Sequence, residues 1–284
     1  MRIMKTELRV LFFSPIAWIV LIVFAFQLGV GYCDRLSDEL RSLAMGYSLY
    51  NATASLVGGF RGVFSEMLNN LYLYIPLLTM GLMSRELSSG SIKLLYSSPV
   101  SNLQIIVGKY LSVVVYGLIL VAVLLMPLIF SAFVVKSADI PFMLTALLGV
   151  FITICTYAAI GLFMSTITKY QVVAAIGTLA ILAVLNFIGD VGQNIVFVRD
   201  ITFWLSIYGR AISFIEGLLP SADVMYFLIV IGLFLSLSVL KLNTEKKIMS
   251  LRTKILKYST IIVTALLLGY LTSLPEAKLY YDGT

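Results

Sequence analysis

The chain has 284 residues, of which 60% are hydrophobic and only 12% are Asp, Glu, Lys or Arg, with a formal net charge of +6. Soluble domains carry about a quarter charged residues, so this composition excludes an ordinary water-facing surface, and the mean hydropathy of +1.02 points to lipid as the solvent. The complete lack of histidine removes the usual neutral-pH general base, the commonest metal ligand and every HExxH pattern.

Residues 1–13 alternate Arg2, Lys5 and Arg9 with Ile3, Met4, Leu8, Val10, Leu11 and Phe12. That pattern predicts an amphipathic helix lying at the membrane surface; the bland alternative is a short polar lead that frays in water. Ser14-Pro15 then leads into a first apolar run at 16–32, proline being tolerated in a first helical turn. Residues 34–62 are weakly polar and partly helical by pattern, and too short for an independent domain. Further apolar runs follow at 63–83, 106–135, 142–164, 172–188 and 224–240, with a shorter one at 258–271. A helix needs roughly 20 residues to cross the hydrocarbon, and continuous apolar runs select helix over barrel. The expected fold is an all-α polytopic membrane protein with six transmembrane helices and a seventh near the end.

Pro76 and Pro127 are expected to kink their helices. The connection 189–223 keeps an apolar content unusual for a watery loop: Ile201, Phe203, Trp204, Leu205, Ile207, Tyr208, Ile212, Phe214 and Ile215. Helical stretches dipping into the outer leaflet would bury these side chains, with Trp204 and Tyr208 at headgroup level. Gly217 and Pro220 mark the break before the sixth run. Cys33 and Cys155 fall on different levels of the bundle and are not expected to pair.

Orientation follows from Lys and Arg. With the N-terminus in the cytoplasm and a crossing at every run, the inner segments hold 13 of the 20 basic residues but only Glu7, Glu86 and Glu245 of the 14 acidic ones. The basic excess is thus explained by topology and anionic inner-leaflet lipid, and nucleic acid is not an expected partner.

Glu66, Asn69 and Asn70 cluster near the outer end of the second run, with Arg61 five residues before Glu66 and Asn186 at the end of the fifth. A charge in lipid costs about 2.5–3.5 kcal/mol, so these residues should face protein, water or headgroups. They are either the polar mouth of a conduit or helix contacts. No nucleophile elbow is present, and Gly108-Lys109 lacks the upstream glycine of a phosphate loop. No catalytic residue, metal site or cofactor site is therefore assigned.

The inner connection between the second and third runs is 83–101. Ser91 can cap a short amphipathic helix whose apolar side is Leu94 and Leu95, and Pro99 stops it. A short helix held between two membrane helices is mechanically suited to transmit motion. Glu86, Ser89-Gly90-Ser91-Ile92, Leu94-Leu95, Ser98-Pro99-Val100 and Gly108-Lys109 stand at the spacing seen in the permease subunits of type-2 ABC exporters, which this chain resembles over about residues 1–242. Arg210-Ala211-Ile212, Glu216-Gly217 and residues 223–227 resemble the gliding-motility-type branch. Arg85-Glu86-Leu87 is less charged than the family's usual run.

The resemblance implies a permease domain at 1–242, a basic cytoplasmic linker at 243–257, and at 258–284 an additional transmembrane helix with the start of an extracytoplasmic segment, as in a fusion to an anchored outer module. It implies Arg85, Glu86, Ser89, Gly90, Ser91, Ile92, Leu94, Leu95, Ser98 and Pro99 as the coupling element for a separate ATP-binding subunit present in two copies. ATP and magnesium would sit on that partner. A second permease protomer, as in a homodimer, membrane lipid and an extracytoplasmic module in cis or trans complete the expected partners, in a bacterial inner membrane. The expected function is export or extraction of an envelope-associated or hydrophobic substrate; the alternative is a mechanotransmitting complex that moves the outer module without transport.

Overall fold

The computed structural model describes residues 2–46, 52–59, 62–97, 100–134, 139–190, 202, 204–246 and 251–273. All regular structure among the described residues is helical. In chain order the helices are α1 (Arg2–Phe13), α2 (Pro15–Ala44), α3 (Ala52–Leu56), α4 (Val63–Thr79), α5 (Gly81–Ser89), α6 (Ile92–Ser97), α7 (Asn102–Val134), α8 (Ile140–Ile167), α9 (Gln171–Phe187), α10 (Ile207–Ile215), α11 (Ser221–Lys246) and α12 (Leu251–Ser273). Four of them, α2, α7, α8 and α11, are long and apolar enough to cross a membrane, and α9 is a shorter apolar helix. The chain is an all-α, multi-spanning membrane protein.

The bundle is organised around α8, which packs against α4, α5, α7, α9, α10 and α11. Its start is fixed by Asp139, whose carboxylate accepts from the Phe142 amide at 3.1 Å. Close approach to its neighbours depends on residues without side chains. A Cβ on Gly149 would strike Phe214 of α10, one on Gly117 of α7 would strike Ile154, and one on Gly161 would fall on Thr79 of α4. In lipid, where hydrophobicity does not drive helices together, such small-residue contacts give the packing that does.

The expected second span does not run through as one helix. It breaks at Met80 into α4 and α5, four residues beyond Pro76. Proline removes one backbone donor; at the break the Met80 amide donates to the Pro76 carbonyl, the Ser84 hydroxyl donates to the Met80 carbonyl, and a distant hydroxyl takes part as well. Ser165 Oγ of α8 accepts from the amides of Met83 (2.9 Å) and Ser84 (3.1 Å) and donates to the Met80 carbonyl (2.9 Å). Pro127, by contrast, lies inside the continuous helix α7.

The helix of the first span continues to Ala44, in keeping with the partly helical pattern after residue 34. One expectation is corrected: part of the apolar content of the 189–223 connection goes to protein instead of lipid. Ile207, Ala211, Phe214 and Ile215 of α10 are fully buried, packed on α4, α8 and α9, while Leu205 and Ile212 stay half-buried. A helix with a protein groove beneath it loses more apolar surface there than at a headgroup boundary. Trp204 and Tyr208 are half-buried. The Trp204 ring packs on Tyr226 and on the backbone at Gly269, and Tyr208 Oη lies 3.3 Å from Ser65 Oγ. Ile201 and Phe203 lie outside the described residues. The shorter final run lies in a longer helix, α12, which packs along α11.

Substituting Gly161 by Ala drives a methyl group into Thr79. Overpacking of this kind costs about 1–3 kcal/mol, so Gly161→Ala should lower the melting temperature of the detergent-solubilised protein. Thr79→Ala in the same chain, which removes the first atom met, should recover part of the loss.

Candidate functional site

The strongest polar constellation lies where α1, α5 and α7 meet. Ile3, Met4, Glu7, Leu8 and Leu11 recur on one stripe of α1, and the stripe is turned onto α7. The contact is close because Gly108 lies beneath Ile3: a Cβ there would come within 3.1 Å of it. The single acidic member of the stripe, Glu7, thereby reaches Lys109 of α7.

Lys109 is 1% exposed. Its Nζ donates to Glu7 Oε1 at 2.6 Å, to the Leu82 carbonyl at 2.7 Å and to Glu86 Oε1 at 2.7 Å. An ammonium has three N–H donors, and all three are used, one on each of α1 and α5 side chains and one on the α5 backbone. Arg85 NH2 stands 3.7 Å from Glu7 Oε2, and its Nε donates to the Gly81 carbonyl at 2.9 Å. Two cations therefore balance two carboxylates. Burial pushes the Glu86 carboxyl above the usual range, outweighing the opposing pull of the Lys109 charge.

The elbow beyond this anchor is shaped by Gly90, which ends α5 in the left-handed region at φ +73°. A side chain there costs roughly 1–2 kcal/mol, which accounts for glycine between the two serines. Ser89 Oγ and Ser91 Oγ lie 2.9 Å apart across the turn, and the Lys93 amide donates to the Gly90 carbonyl at 3.2 Å. In α6 the inward residue is Ile92, 9% exposed, while Lys93 is exposed and Leu94 is 74% exposed. Leu94 thus does not serve as the helix's buried side. Ser98 and Pro99, and the side chain of Leu95, lie outside the described residues. The same end of the bundle is closed by Asn102 Nδ2 donating to Asn243 Oδ1 at 2.7 Å, and by Lys246 of α11 over the Tyr96 ring.

At the opposite end, Arg210 of α10 pairs with Asp223 at 2.6 Å and covers the Tyr226 ring at 4.5 Å. Asn186 Nδ2 donates to Asn69 Oδ1 (3.1 Å) and its Oδ1 accepts from Tyr157 Oη (3.2 Å), so these two asparagines form a helix contact. Asn70 is half-buried on the same helix. Glu66 faces Arg35 of α2 at 3.9 Å; Arg61 lies outside the described residues. Of the surface cations expected at the inner membrane face, Lys5 and Arg9 are exposed, and the side chain of Arg2 lies outside the description.

Residue-by-residue reading missed Glu7 and undervalued Lys109. The signal was present: one acid on an otherwise apolar helical stripe, and one lysine in a long apolar helix. Each asks for a partner of opposite charge.

These helices form a multi-spanning bundle with a bend at Gly90 near one end. Residues 1–198, covering α1 to α9, match the model of the ABC-2 family transporter proteins, and the chain belongs to that family. Its general role is that of an ABC transporter permease, a subunit type that works with a separate ABC ATPase. A comparison with curated proteins returned no match.

Breaking a buried ion pair by removing one partner costs about 3–5 kcal/mol. Lys109→Met should therefore sharply reduce the yield of folded protein in size-exclusion profiles, and Lys109→Arg should not restore it, because a planar guanidinium does not reproduce the three-way ammonium. The raised Glu86 value has its own sign. Its contribution is fully present below the ordinary carboxyl value of 4.5 and is lost as pH rises through the higher folded value. The melting temperature of the wild type relative to Glu86→Gln should thus fall as pH is raised across that window.

Proposed function

We propose that this chain is the membrane-spanning half of an ATP-driven exporter or extractor of hydrophobic or envelope-associated molecules, and that α5, Gly90 and α6 receive the stroke of a separate ATPase. The observation that carries this reading is the Lys109 anchor. It ties α5 to α7 and α1 in one body, while α6 projects Lys93 and Leu94 outward from it. A push on α6 then moves the inner ends of two membrane helices together instead of flexing a loop. In this reading Arg85 and Glu86 orient the elbow through Glu7 and Lys109. Ser89, Gly90 and Ser91 set its bend, Ile92 seats it, and Leu94, with Leu95, Ser98 and Pro99 after it, meets the ATPase. ATP and magnesium belong to that partner, in two copies, beneath two permease protomers.

The same reading has the N-terminus in the cytoplasm of a bacterial inner membrane, six spans in a permease domain at 1–242, a basic linker at 243–257, and a seventh span opening an extracytoplasmic segment at 258–284. Support comes from the charge asymmetry and from α12, whose Gly269 meets Trp204 at the end of the bundle opposite Lys246. A second reading, transmission of force to an outer module, is favoured by α2. Its 30 residues span about 45 Å, against about 30 Å of hydrocarbon, so it projects beyond the bilayer as a stiff rod.

Leu94 touches little of its own protein, so Leu94→Asp should leave the permease folded and abolish co-purification with its ATPase and the permease-dependent ATP turnover. Assembly and turnover at wild-type levels in this variant would overturn the coupling assignment.

A further inference from the structure

A cleft of about 420 Å³ lies between α2 and the outer half of α4. Its α2 wall is a single helical stripe with a change of character along it. Val23, Phe26 and Val30 come first, all exposed at 45%, 72% and 45%. Asp34 and Arg35 follow at the outer end, and Glu66 of α4 faces them. From Val23 to Val30 the apolar part of the helix rises about 10 Å, within the roughly 15 Å depth of one leaflet's hydrocarbon. The volume falls within the range of small-molecule sites.

The charged end is incompletely satisfied. Arg35 and Glu66 are 3.9 Å apart, outside hydrogen-bonding distance, and Arg35 Nε is buried with no hydrogen-bond partner. Gly31 opens the floor: a Cβ there would come within 3.2 Å of Glu66 Oε2. Halfway down, Gln27 Oε1 accepts from the hydroxyl of Tyr74, and its amide lines the cleft. The cleft thus presents one loosely paired guanidinium, two carboxylates beside it, and a mainly apolar track of about 10 Å leading away from them.

We propose that this cleft binds a zwitterionic phospholipid bearing a primary ammonium, its phosphate on Arg35, its ammonium between Glu66 and Asp34, and one acyl chain along Phe26 and Val23. A purely anionic headgroup meets a site with one excess negative charge, and a quaternary ammonium has no N–H to donate to the carboxylates. The proposal rests on the exporter reading only for its placement in the outer leaflet, and names a substrate class for it.

The test uses the full chain in detergent, incubated with phosphatidylethanolamine, phosphatidylcholine or phosphatidylglycerol of identical acyl chains. Lipid retained through size exclusion is measured by mass spectrometry. Phosphatidylethanolamine should be retained preferentially. Arg35→Ala should lower its retention about tenfold, as expected for a lost charge-assisted hydrogen bond, and Arg35→Lys should recover part of it. Glu66→Gln should remove the preference over phosphatidylglycerol. A monodisperse Arg35→Ala protein that keeps the lipid, or equal retention of all three lipids, overturns the proposal. The readout needs no ATPase: loss of selective retention with intact ATPase coupling would strike the cleft alone, and the reverse would strike the exporter reading alone.

Discussion

One ammonium group holds the inner end of this protein together. Lys109 lies in a long apolar helix where an unpaired charge is costly, and the cost is offset only when three acceptors from two other helices close around it. The arrangement makes α1 part of the permease body. Its apolar stripe alone would let the helix slide on the membrane surface, whereas Glu7 fixes its register against Gly108 and Lys109. The same ion sets the angle at which α5 leaves α4, and hence where Gly90 points α6.

The elbow is stiff beside this anchor and articulated just above it. Met80 separates α4 from α5, and Ser165 on α8 holds the interrupted backbone with its single hydroxyl. A break whose polar groups are already satisfied is inexpensive to keep in a nonpolar medium. Helix α5 is thereby pinned to the central helix α8 at its start, and through Glu86 and Leu82 to Lys109 of α7.

Much of the architecture was legible because lipid imposes a simple rule: long apolar runs become helices. A short helix after Ser91 was legible from its capping residue and is present as α6, whereas the left-handed turn at Gly90 that aims it was not read. What was not legible depended on partners distant in sequence. Nothing near Pro76 announces that the helix breaks at Met80, since the stabilising hydroxyl lies 85 residues away. The apolar content of α10 is equally compatible with lipid and with a protein groove, and only the positions of Gly149 and Phe214 decide between them. Glu66 faces Arg35 on another helix, a neighbour that spacing along one helix does not point to. Leu94, read with Leu95 as the apolar side of its helix, is 74% exposed, and Ile92 is the residue packed inward.

Two short helices stand side by side. Helices α4 and α9 are 17 residues each and pack against one another, which makes them about 26 Å long beside a hydrocarbon layer of about 30 Å. Helix α4 exceeds that thickness only together with α5, which follows it directly at Gly81, so the groups that hold the break at Met80 also set the reach of the pair.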